Sequence, residues 1–275
     1  MKVLDIQGSK MPVLGFGTWQ LDGKACVGAV RRALDIGYRH IDTAQMYGNE
    51  TEVGQAIADS GVGRGDIFVT TKVMMENVSA TKVKSSTAES LKKLKLDYVD
   101  LLLLHWPSKD VPLSETLGAM SELQKAGKTK AVGVSNFPVS LMREAVEKLG
   151  FPVACNQVEY HVLLSQESVL GFARTHDIIV TAYSPLARGH LTKHPVLAGI
   201  GAKYGKTSAQ VALRWLIEQP GVAAIPKASR EESIRQNFEI FDFELSAEDL
   251  KTIAKLNGHQ RLINPSWAPA WDDAA

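Results

Sequence analysis

The chain has 275 residues, of which 45% are hydrophobic and 22% charged, and its formal net charge is +1. This composition is typical of a globular protein, and the near-neutral charge provides no broad attraction to nucleic acid or to an anionic membrane. The longest apolar run, VDLLLLHW (99–106), is far shorter than the roughly 20 residues that span a bilayer.

The opening segment, MKVLDIQGSK, lacks the succession of charged, apolar and small residues that marks a signal peptide. Cys26 and Cys155 lie far apart and form neither a CxxC motif nor a metal-ligand spacing. We therefore predict a cytoplasmic protein with two reduced core thiols, no metal site, and neither nucleic acid nor membrane as a partner.

Short β-branched or Leu-rich segments alternate along the chain with amphipathic helical patterns. These segments predict strands at 13–19, 38–42, 67–73, 99–105, 130–136, 154–160, 178–184 and 222–226. The helical patterns predict helices at 26–37, 51–61, 82–95, 114–127, 140–150, 167–176 and 208–219. Several of these patterns stop at Gly, which readily adopts the left-handed conformation that follows many helices.

Strands that are apolar along nearly their whole length are typical of a parallel sheet covered on both faces. Eight of them alternating with helices predict an α/β fold, a (β/α)8 TIM barrel that forms a single domain over residues 1–275. Residues 1–14 predict a short N-terminal β-hairpin under the barrel. Residues 245–258 predict an extra C-terminal helix, followed by a non-helical tail rich in Pro and Trp. A doubly wound open sheet is the alternative, but no change of composition half-way along the chain marks a second domain.

Polar side chains stand at the carboxyl ends of most predicted strands. In chain order they are Asp42, Lys72, His105, Ser135, Asn136, Gln157, Tyr183, Ser184 and Lys227, with Tyr47 just beyond the second strand. The carboxyl ends of the strands carry the active site in TIM barrels. Polar groups that end apolar strands are also costly to bury unless they find partners. We therefore expect these side chains to meet in one polar site.

The residue types at these positions predict proton transfer. A tyrosine hydroxyl has a pKa near ~10, too high for efficient proton exchange at neutral pH without help from its surroundings. A nearby ammonium lowers that pKa, and a carboxylate keeps the ammonium charged and in place. We predict Tyr47 as the proton donor, Lys72 and Asp42 as the pair that tunes it, and His105 as a hydrogen-bond donor to a carbonyl oxygen.

Each of these four residues also has an ordinary structural interpretation. The Asp42–Lys72 pair could be a structural ion pair, His105 a satisfied core histidine, and Tyr47 a packing residue. Their joint placement, rather than any single residue, favours the functional interpretation. No Ser or Cys nucleophile with an adjacent base is evident, which argues against hydrolysis through an acyl-enzyme.

Five segments of the chain resemble, in the same order, segments of the aldo-keto reductases. They are GYRHIDTAQMYGNE (37–50), VTTKV (69–73), DYVDLLLLHWP (97–107), KTKAVGVSNF (128–137) and AAIPKASREESIRQNFEIFDFELS (223–246). The first carries the family's Asp and catalytic Tyr, the second its Lys and the third its His. The resemblance implies a monomeric barrel that reduces aldehydes or ketones with NAD(P)H, in which Tyr47 is the general acid.

The resemblance also implies where the nicotinamide would lie. Ser135, Asn136 and Gln157 match the residues that bind its carboxamide, and Tyr183 matches the aromatic ring that stacks on it. A stacked ring with a clamped amide exposes one nicotinamide face, which fixes the side of hydride delivery. Further implied cofactor contacts are Gly17, Thr18, Asp42, Ser184, Leu186, Ser229, Arg230, Gln236 and Asn237.

At the adenosine end, Lys227 matches the lysine that holds the 2′-phosphate. The family commonly has a serine straight after this lysine and an arginine six residues after it, but this chain has Ala228 and Ser233 there. Loss of that arginine weakens the usual clamp, because Ser cannot replace the guanidinium fork. We predict NADPH as the preferred cofactor and keep NADH use open because of Ser233.

Two glycine-rich segments imitate phosphate-binding loops without their spacing. GFGTWQ (15–20) has Gln20 where a Rossmann fingerprint needs its third glycine, and GIGAKYGKT (199–207) has Ile200 at the first-glycine position of a Walker A loop. Neither segment predicts a nucleotide-binding loop of these types.

Aromatic residues at the strand ends predict a pocket for small organic carbonyls. The predicted substrate contacts are Trp19, Tyr47, His105 and Trp106, with Trp267 and Trp271 of the tail closing the pocket. Within the family the chain is most similar to the bacterial 2,5-diketo-D-gluconate reductases of the B type. That similarity implies 2,5-diketo-D-gluconate, methylglyoxal, keto esters or simple aromatic aldehydes as substrates, and the sequence does not choose among them.

Two other functions remain open from the sequence. A Schiff-base aldolase would use Lys72 as its nucleophile, since such lysines also end barrel strands. A nucleotide-sensing binding subunit would keep the barrel without turnover, although pure binding needs no proton donor.

Overall fold

The computed structural model describes residues 2–272, which contain ten strands and ten α-helices. The strands are β1 (Val3–Ile6), β2 (Ser9–Pro12), β3 (Phe16–Gly17), β4 (His40–Asp42), β5 (Phe68–Val73), β6 (Val99–Leu104), β7 (Thr129–Ser135), β8 (Cys155–Glu159), β9 (Ile179–Tyr183) and β10 (Val222–Ala224). The helices are α1 (Gly23–Ile36), α2 (Glu50–Ala58), α3 (Ala80–Leu94), α4 (Leu113–Lys125), α5 (Val139–Arg143), α6 (Glu167–Thr175), α7 (Pro195–Tyr204), α8 (Ser208–Glu218), α9 (Glu231–Phe238) and α10 (Ala247–Ala254).

Strands β3 to β10 form one parallel sheet in chain order. The segment just before β3 meets β10 through a parallel bridge between Leu14 and Ala224. There the Ala224 N–H donates to the Val13 carbonyl at 2.8 Å, and the Gly15 N–H donates to the Ala224 carbonyl at 2.9 Å. The sheet is thus a closed barrel, and the predicted (β/α)8 fold is confirmed.

Side chains along each barrel strand alternate between the interior and the helix layer, as the strand period of two requires. In β5, for example, Phe68 lies in the interior cluster, whereas Val69 and Val73 belong to the cluster shared with the helices. The interior cluster consists of Ile6, Met11, Phe68, Leu101, Leu103, Ala131, Ala154, Cys155, Ile179 and Ala223. It fills the amino end of the barrel and gives the polar residues above it a packed floor.

The predicted N-terminal hairpin is present as β1 and β2. Its two-residue loop holds Gln7 at φ 45° and Gly8 at φ 82°, the left-handed pair that suits the twist of a tight hairpin. Ile6 and Met11 bury their side chains in the interior cluster, so the hairpin closes the floor of the barrel.

Helix α7 was not predicted, although it has clear boundary signals. Pro195 occupies its first turn, and Gly205 follows it in the left-handed conformation at φ 65°. Gly201 lies inside this helix, where a Cβ would come within 2.3 Å of the Lys206 carbonyl oxygen. Gly201 therefore serves helix packing and Gly205 ends the helix, so the Walker-like segment lies mostly within α7.

Helix α9 was likewise not predicted, and β3 and β10 are shorter than the strands predicted at 13–19 and 222–226. Beyond the ends of these two strands the backbone still bonds across the seam, since Gly17 N–H donates to the Pro226 carbonyl at 3.0 Å. Helix α10 is the predicted extra helix. It begins with a capping box between Ser246 and Asp249.

Within residues 2–272, neither a membrane-spanning helix nor a cluster of metal ligands is present. No helix in this range has the length and apolar character needed to cross a membrane. No group of three or more His, Cys, Asp or Glu side chains in the same range is arranged to hold a metal ion.

Candidate active site

A buried ion pair stands at the carboxyl ends of the neighbouring strands β4 and β5. Lys72 Nζ donates to Asp42 Oδ1 at 2.5 Å, to the Thr43 carbonyl at 2.9 Å and to Tyr47 Oη at 3.1 Å. The Lys72 side chain is fully buried and that of Asp42 is 1% exposed. Such a pair persists only with good geometry and further hydrogen bonds, and both are present here.

Tyr47 reaches this pair from a single 3-10 turn, Gln45–Tyr47, that follows β4. Gly48 ends the turn in the left-handed conformation at φ 69°. The Tyr47 ring packs against Trp19 with 4.9 Å between ring centroids, and edge-on against His105 at 5.7 Å. The sequence segment 37–50 therefore places its aspartate and its phenol on the same ammonium group.

His105 follows β6 and lies beside Tyr47 at the mouth of the barrel. Its ring is almost fully buried, and within residues 2–272 its Nδ1 has no hydrogen-bond partner. Burial, reinforced by the Lys72 charge, holds the pKa of His105 well below its usual range. The imidazole is therefore neutral at neutral pH and carries one N–H that can be donated.

The net pKa shift of Tyr47 differs from the sequence prediction. Burial is the largest influence and raises the pKa above that of a free tyrosine, while the Lys72 charge and hydrogen bond act to lower it. The predicted lowering was therefore wrong in its net direction, because desolvation of the phenolate outweighs the ammonium. Tyr47 consequently holds its proton at neutral pH, as a proton donor must.

Lys72 remains charged despite its burial. Burial alone would lower the pKa of its ammonium, but Asp42 and Tyr47 reverse this effect and raise the pKa above the usual value. The ammonium is thus a fixed positive charge 3.1 Å from the Tyr47 oxygen.

The side chains predicted to hold a nicotinamide form one hydrogen-bonded group. Tyr183 Oη donates to Asn136 Oδ1 at 2.7 Å, Asn136 Nδ2 donates to Ser135 Oγ at 3.1 Å, and Ser135 Oγ donates to the Gln157 carbonyl at 2.7 Å. Gln157 Nε2 in turn donates to Asp42 Oδ2 at 2.8 Å. This group is therefore joined directly to the ion pair.

A cleft of about 930 Å³ opens over these residues at the carboxyl end of the barrel. Of the predicted site residues, it is lined by Gly17, Thr18, Trp19, Asp42, Tyr47, His105, Trp106, Asn136, Gln157, Tyr183, Ser184, Leu186 and Lys227. Lys72 lies directly beneath the lining, bonded to Asp42 and Tyr47.

Five predicted cofactor contacts do not line the cleft. They are Ser135, Ser229, Arg230, Gln236 and Asn237. Ser135 is buried and its hydroxyl is bound to the strand beside it. The other four belong to α9 or the exposed turn that precedes it, where Arg230 Nη2 donates to Ser233 Oγ at 3.3 Å. These four residues lie outside the cleft, in the segment that follows Lys227 in the sequence.

Several lining residues were missed by sequence reasoning. They are Gln20, Met46, Pro185, Arg188, Gly189, Thr192, Ile225, Pro226, Leu262, Ile263, Asn264 and Pro265. The segment after β9 is unusual, since Ser184, Ala187, Arg188 and Gly189 all adopt positive φ. Only Gly189 signals such a conformation in the sequence.

The four tryptophans predicted to form the pocket have different positions. Trp19 lines the cleft and is 43% exposed, while Trp106 is almost fully buried in its wall. Trp267 lines the cleft from the tail, as predicted, and is 51% exposed. Trp271 is not part of the lining. It packs behind Trp106 with 6.2 Å between ring centroids and donates through Nε1 to Asn264 Oδ1 at 2.9 Å.

The cleft has the chemical layout that a nicotinamide dinucleotide needs. The Tyr183 ring and the Asn136 and Gln157 amides stand at one end, beside Tyr47. Lys227 and Arg188 supply cationic groups elsewhere along the lining. Aromatic, amide and cationic groups match a nicotinamide ring, its carboxamide and phosphates respectively, so the residues present fit this cofactor.

Comparison with known proteins agrees with this fold and identifies the family. Residues 13–258 match the Aldo/keto reductase family, and the chain therefore belongs to that family of oxidoreductases. It is 43% identical over 266 residues to methylglyoxal reductase DkgB of Salmonella typhimurium, covering 95% of this chain and 99% of the relative. It is 38% identical over 258 residues to methylglyoxal reductase DkgA of Escherichia coli strain K12, covering 93% of each chain.

Solved structures show the same relationship. A crystal structure of a candidate 2,5-diketo-D-gluconic acid reductase B superposes with a TM-score of 0.96 at 45% identity, covering 99% of this chain and 98% of that one. The aldose reductase of Schistosoma japonicum superposes with a TM-score of 0.91 at 32% identity, covering 96% and 94% of the two chains. The predicted family and the similarity to the B-type reductases are confirmed.

Proposed function

We propose that this protein reduces small aldehydes and ketones to alcohols, with NADPH as the preferred electron donor and Tyr47 as the proton donor. The observation that carries this proposal is the 3.1 Å hydrogen bond between the fully buried Lys72 ammonium and the Tyr47 hydroxyl at the wall of the cleft. A phenol held on a fixed positive charge is suited to giving up a proton while charge grows on a carbonyl oxygen.

The reduced dinucleotide, when bound, would supply the hydride to the carbonyl carbon. Tyr47 gives its hydroxyl proton to the carbonyl oxygen, and the phenolate left behind is stabilised by the Lys72 ammonium. Asp42 keeps that ammonium charged throughout, and Gln157 holds the second Asp42 oxygen. The neutral His105 ring orients the carbonyl by donating its N–H to the same oxygen, and solvent in the cleft returns the proton to Tyr47.

Small 2-oxo carbonyls are the substrates we propose, with methylglyoxal and 2,5-diketo-D-gluconate as the leading candidates. This rests on the names of the relatives and on the pocket end formed by Trp19, Trp106 and Trp267 around Tyr47. We further propose that the protein acts as a monomer, as its resemblance to the aldo-keto reductases implies. We also propose that it acts in the cytoplasm, because both cysteines are buried and unpaired.

NADPH consumption should be measured over a panel of methylglyoxal, 2,5-diketo-D-gluconate, a β-keto ester and an aromatic aldehyde. The proposal expects carbonyl-dependent oxidation of NADPH with at least the 2-oxo carbonyls. No oxidation with any member of the panel would favour the nucleotide-sensing alternative.

The Schiff-base aldolase finds no support in the geometry of Lys72. A nucleophilic amine must be neutral, whereas Lys72 donates three hydrogen bonds and its pKa is raised by Asp42 and Tyr47. Borohydride treatment in the presence of methylglyoxal is expected to leave Lys72 unmodified.

Cofactor preference should depend on Lys227. In Lys227→Met we expect the KM for NADPH to rise roughly tenfold, because a hydrogen bond to a charged group contributes about 1.5–3 kcal/mol. The KM for NADH should stay within about twofold, since NADH has no 2′-phosphate for the lysine to hold. Steady-state kinetics with both cofactors measure this, and equal increases for the two would contradict the assignment of Lys227.

The pH profile of kcat/KM should be flat between about pH 6 and pH 9. His105 must be neutral, and its lowered pKa means that the neutral form is already present below the usual histidine range near ~6.5. Tyr47 must be protonated, and its raised pKa means that this form persists above the usual tyrosine pKa near ~10. A profile that rises through pH 6.5 would show instead that His105 titrates in the free enzyme.

A further inference from the structure

Glu159 is a fully buried carboxylate that the proposed mechanism does not use. It ends strand β8 two residues after Gln157, so both side chains lie on the face of the strand that points into the barrel. Gln157 contacts Asp42 in one direction, while Glu159 stands one layer higher, toward the C-terminal tail. A carboxylate removed from water at this depth is costly unless its oxygens accept hydrogen bonds.

Those oxygens are bound by the tail. The backbone N–H of Leu262 donates to Glu159 Oε1 at 2.9 Å, and the N–H of Ile263 donates to Oε2 at 2.8 Å. His161 Nε2 lies 3.0 Å from Oε1. Two consecutive backbone N–H groups converging on one anion form a concave binding site of the kind that holds phosphates and carboxylates. Here the anion is a side chain of the barrel itself.

The segment that Glu159 holds forms part of the cleft wall. Leu262, Ile263, Asn264, Pro265 and Trp267 all line the cleft. Residues 261–272 have no helix or strand that would satisfy their backbone groups. Their N–H groups must therefore find other acceptors, and the Glu159 carboxylate supplies two of them. A second attachment lies farther along, where the Val139 N–H donates to Asp272 Oδ2 at 2.8 Å.

We propose that Glu159 is a positioning residue for the carbonyl pocket: it fixes the tail wall at 262–263 and thereby sets the affinity for the carbonyl substrate without taking part in proton transfer. This inference rests on the proposed function for its kinetic consequence, but not for the anchoring contact itself. Strand β8 then contributes to the site in two places. Gln157 holds the ion pair through Asp42, and Glu159 holds the tail wall at 262–263.

Glu159→Gln provides the primary test. An amide presents an N–H to one of the tail N–H groups, so one acceptor is lost and the remaining bonds lose their charge assistance. Hydrogen–deuterium exchange at residues 262–263 should become faster. The KM for methylglyoxal should rise roughly tenfold, while kcat stays within about twofold and the Kd for NADPH is unchanged.

Variants of Ile263 separate the tail contact from other effects of Glu159. Ile263→Pro removes the N–H that binds Oε2 and should reproduce the KM increase, whereas Ile263→Ala keeps that N–H and should leave the exchange rate of the Leu262 amide unchanged. Combining Glu159→Gln with Ile263→Pro should give little more than either single change, because both break the same contact. Glu167→Gln, at an exposed carboxylate on α6, is the matched surface control. It should change neither the amide exchange at residues 262–263 nor the KM for methylglyoxal.

Two results would overturn the inference. Unchanged amide exchange in Glu159→Gln would show that the carboxylate does not hold the tail. Fully additive KM effects in the double variant would show that Glu159 acts by another route. If wild-type protein fails to reduce any carbonyl, the proposed function fails, but the exchange measurement still decides whether Glu159 anchors the tail.

Discussion

Tyr47→Phe is expected to lower kcat by about 10²- to 10⁴-fold, the range that a positioned general acid supplies. The hydroxyl is the only part of Tyr47 removed, so the ring keeps its contacts with Trp19 and His105. The Kd for NADPH, measured by fluorescence titration, should stay within about twofold, because the residues proposed to bind the dinucleotide are untouched. Retained turnover with retained binding would contradict the assignment of Tyr47 as proton donor.

Tyr38→Phe is the matched control for this variant. Tyr38 is also a buried tyrosine, but its hydroxyl donates to the Ile234 carbonyl at 3.1 Å outside the cleft. Its loss should lower the free energy of unfolding by about 1 kcal/mol and leave kcat unchanged. An equal loss of activity in both variants would point to a general effect of removing a buried hydroxyl.

Lys72→Met is expected to abolish measurable reduction and to lower the free energy of unfolding by about 3–5 kcal/mol. The large stability effect arises because the Asp42 carboxylate, at 1% exposure, loses its ammonium partner. Among the side chains of residues 2–272, it then keeps only Gln157 as a donor. Urea unfolding followed by circular dichroism measures the stability change, and NADPH oxidation with methylglyoxal measures the activity.

The double variant Asp42→Asn with Lys72→Met separates folding from chemistry. Removing both charges eliminates the uncompensated carboxylate, so most of the lost stability should return. Activity should not return, because the ammonium beside Tyr47 is still missing. Recovery of activity together with stability would show that the ion pair supports the fold only and does not assist Tyr47.

The barrel and its ion pair could be predicted because their signals are local. Apolar runs of strand length end in Asp42, Lys72 and His105, and the parallel arrangement places all strand ends at one mouth of the barrel. Helix α7 was missed because Gly199 and Gly201 dilute its apolar pattern, although Gly201 is needed where the helix packs closely against the Lys206 carbonyl.

The net direction of the Tyr47 pKa and the role of Glu159 depend on burial, which the sequence does not state. The motif predicted the Lys72 contact correctly, but the cost of desolvating a phenolate follows only from the packed surroundings of Tyr47. Glu159 had one weak signal, an acidic residue in an apolar strand two positions after Gln157. Its partners at 262–263 lie about a hundred residues away and follow no periodic pattern.

A crystal structure of the protein with bound NADP⁺ measures the central relationship most directly. The nicotinamide ring is expected to lie on Tyr183, with its carboxamide at Asn136 and Gln157 and its reactive carbon facing the Tyr47 hydroxyl. A ring bound away from this end of the cleft, or a Tyr47 hydroxyl turned away from Lys72 in the complex, would contradict the proposed chemistry.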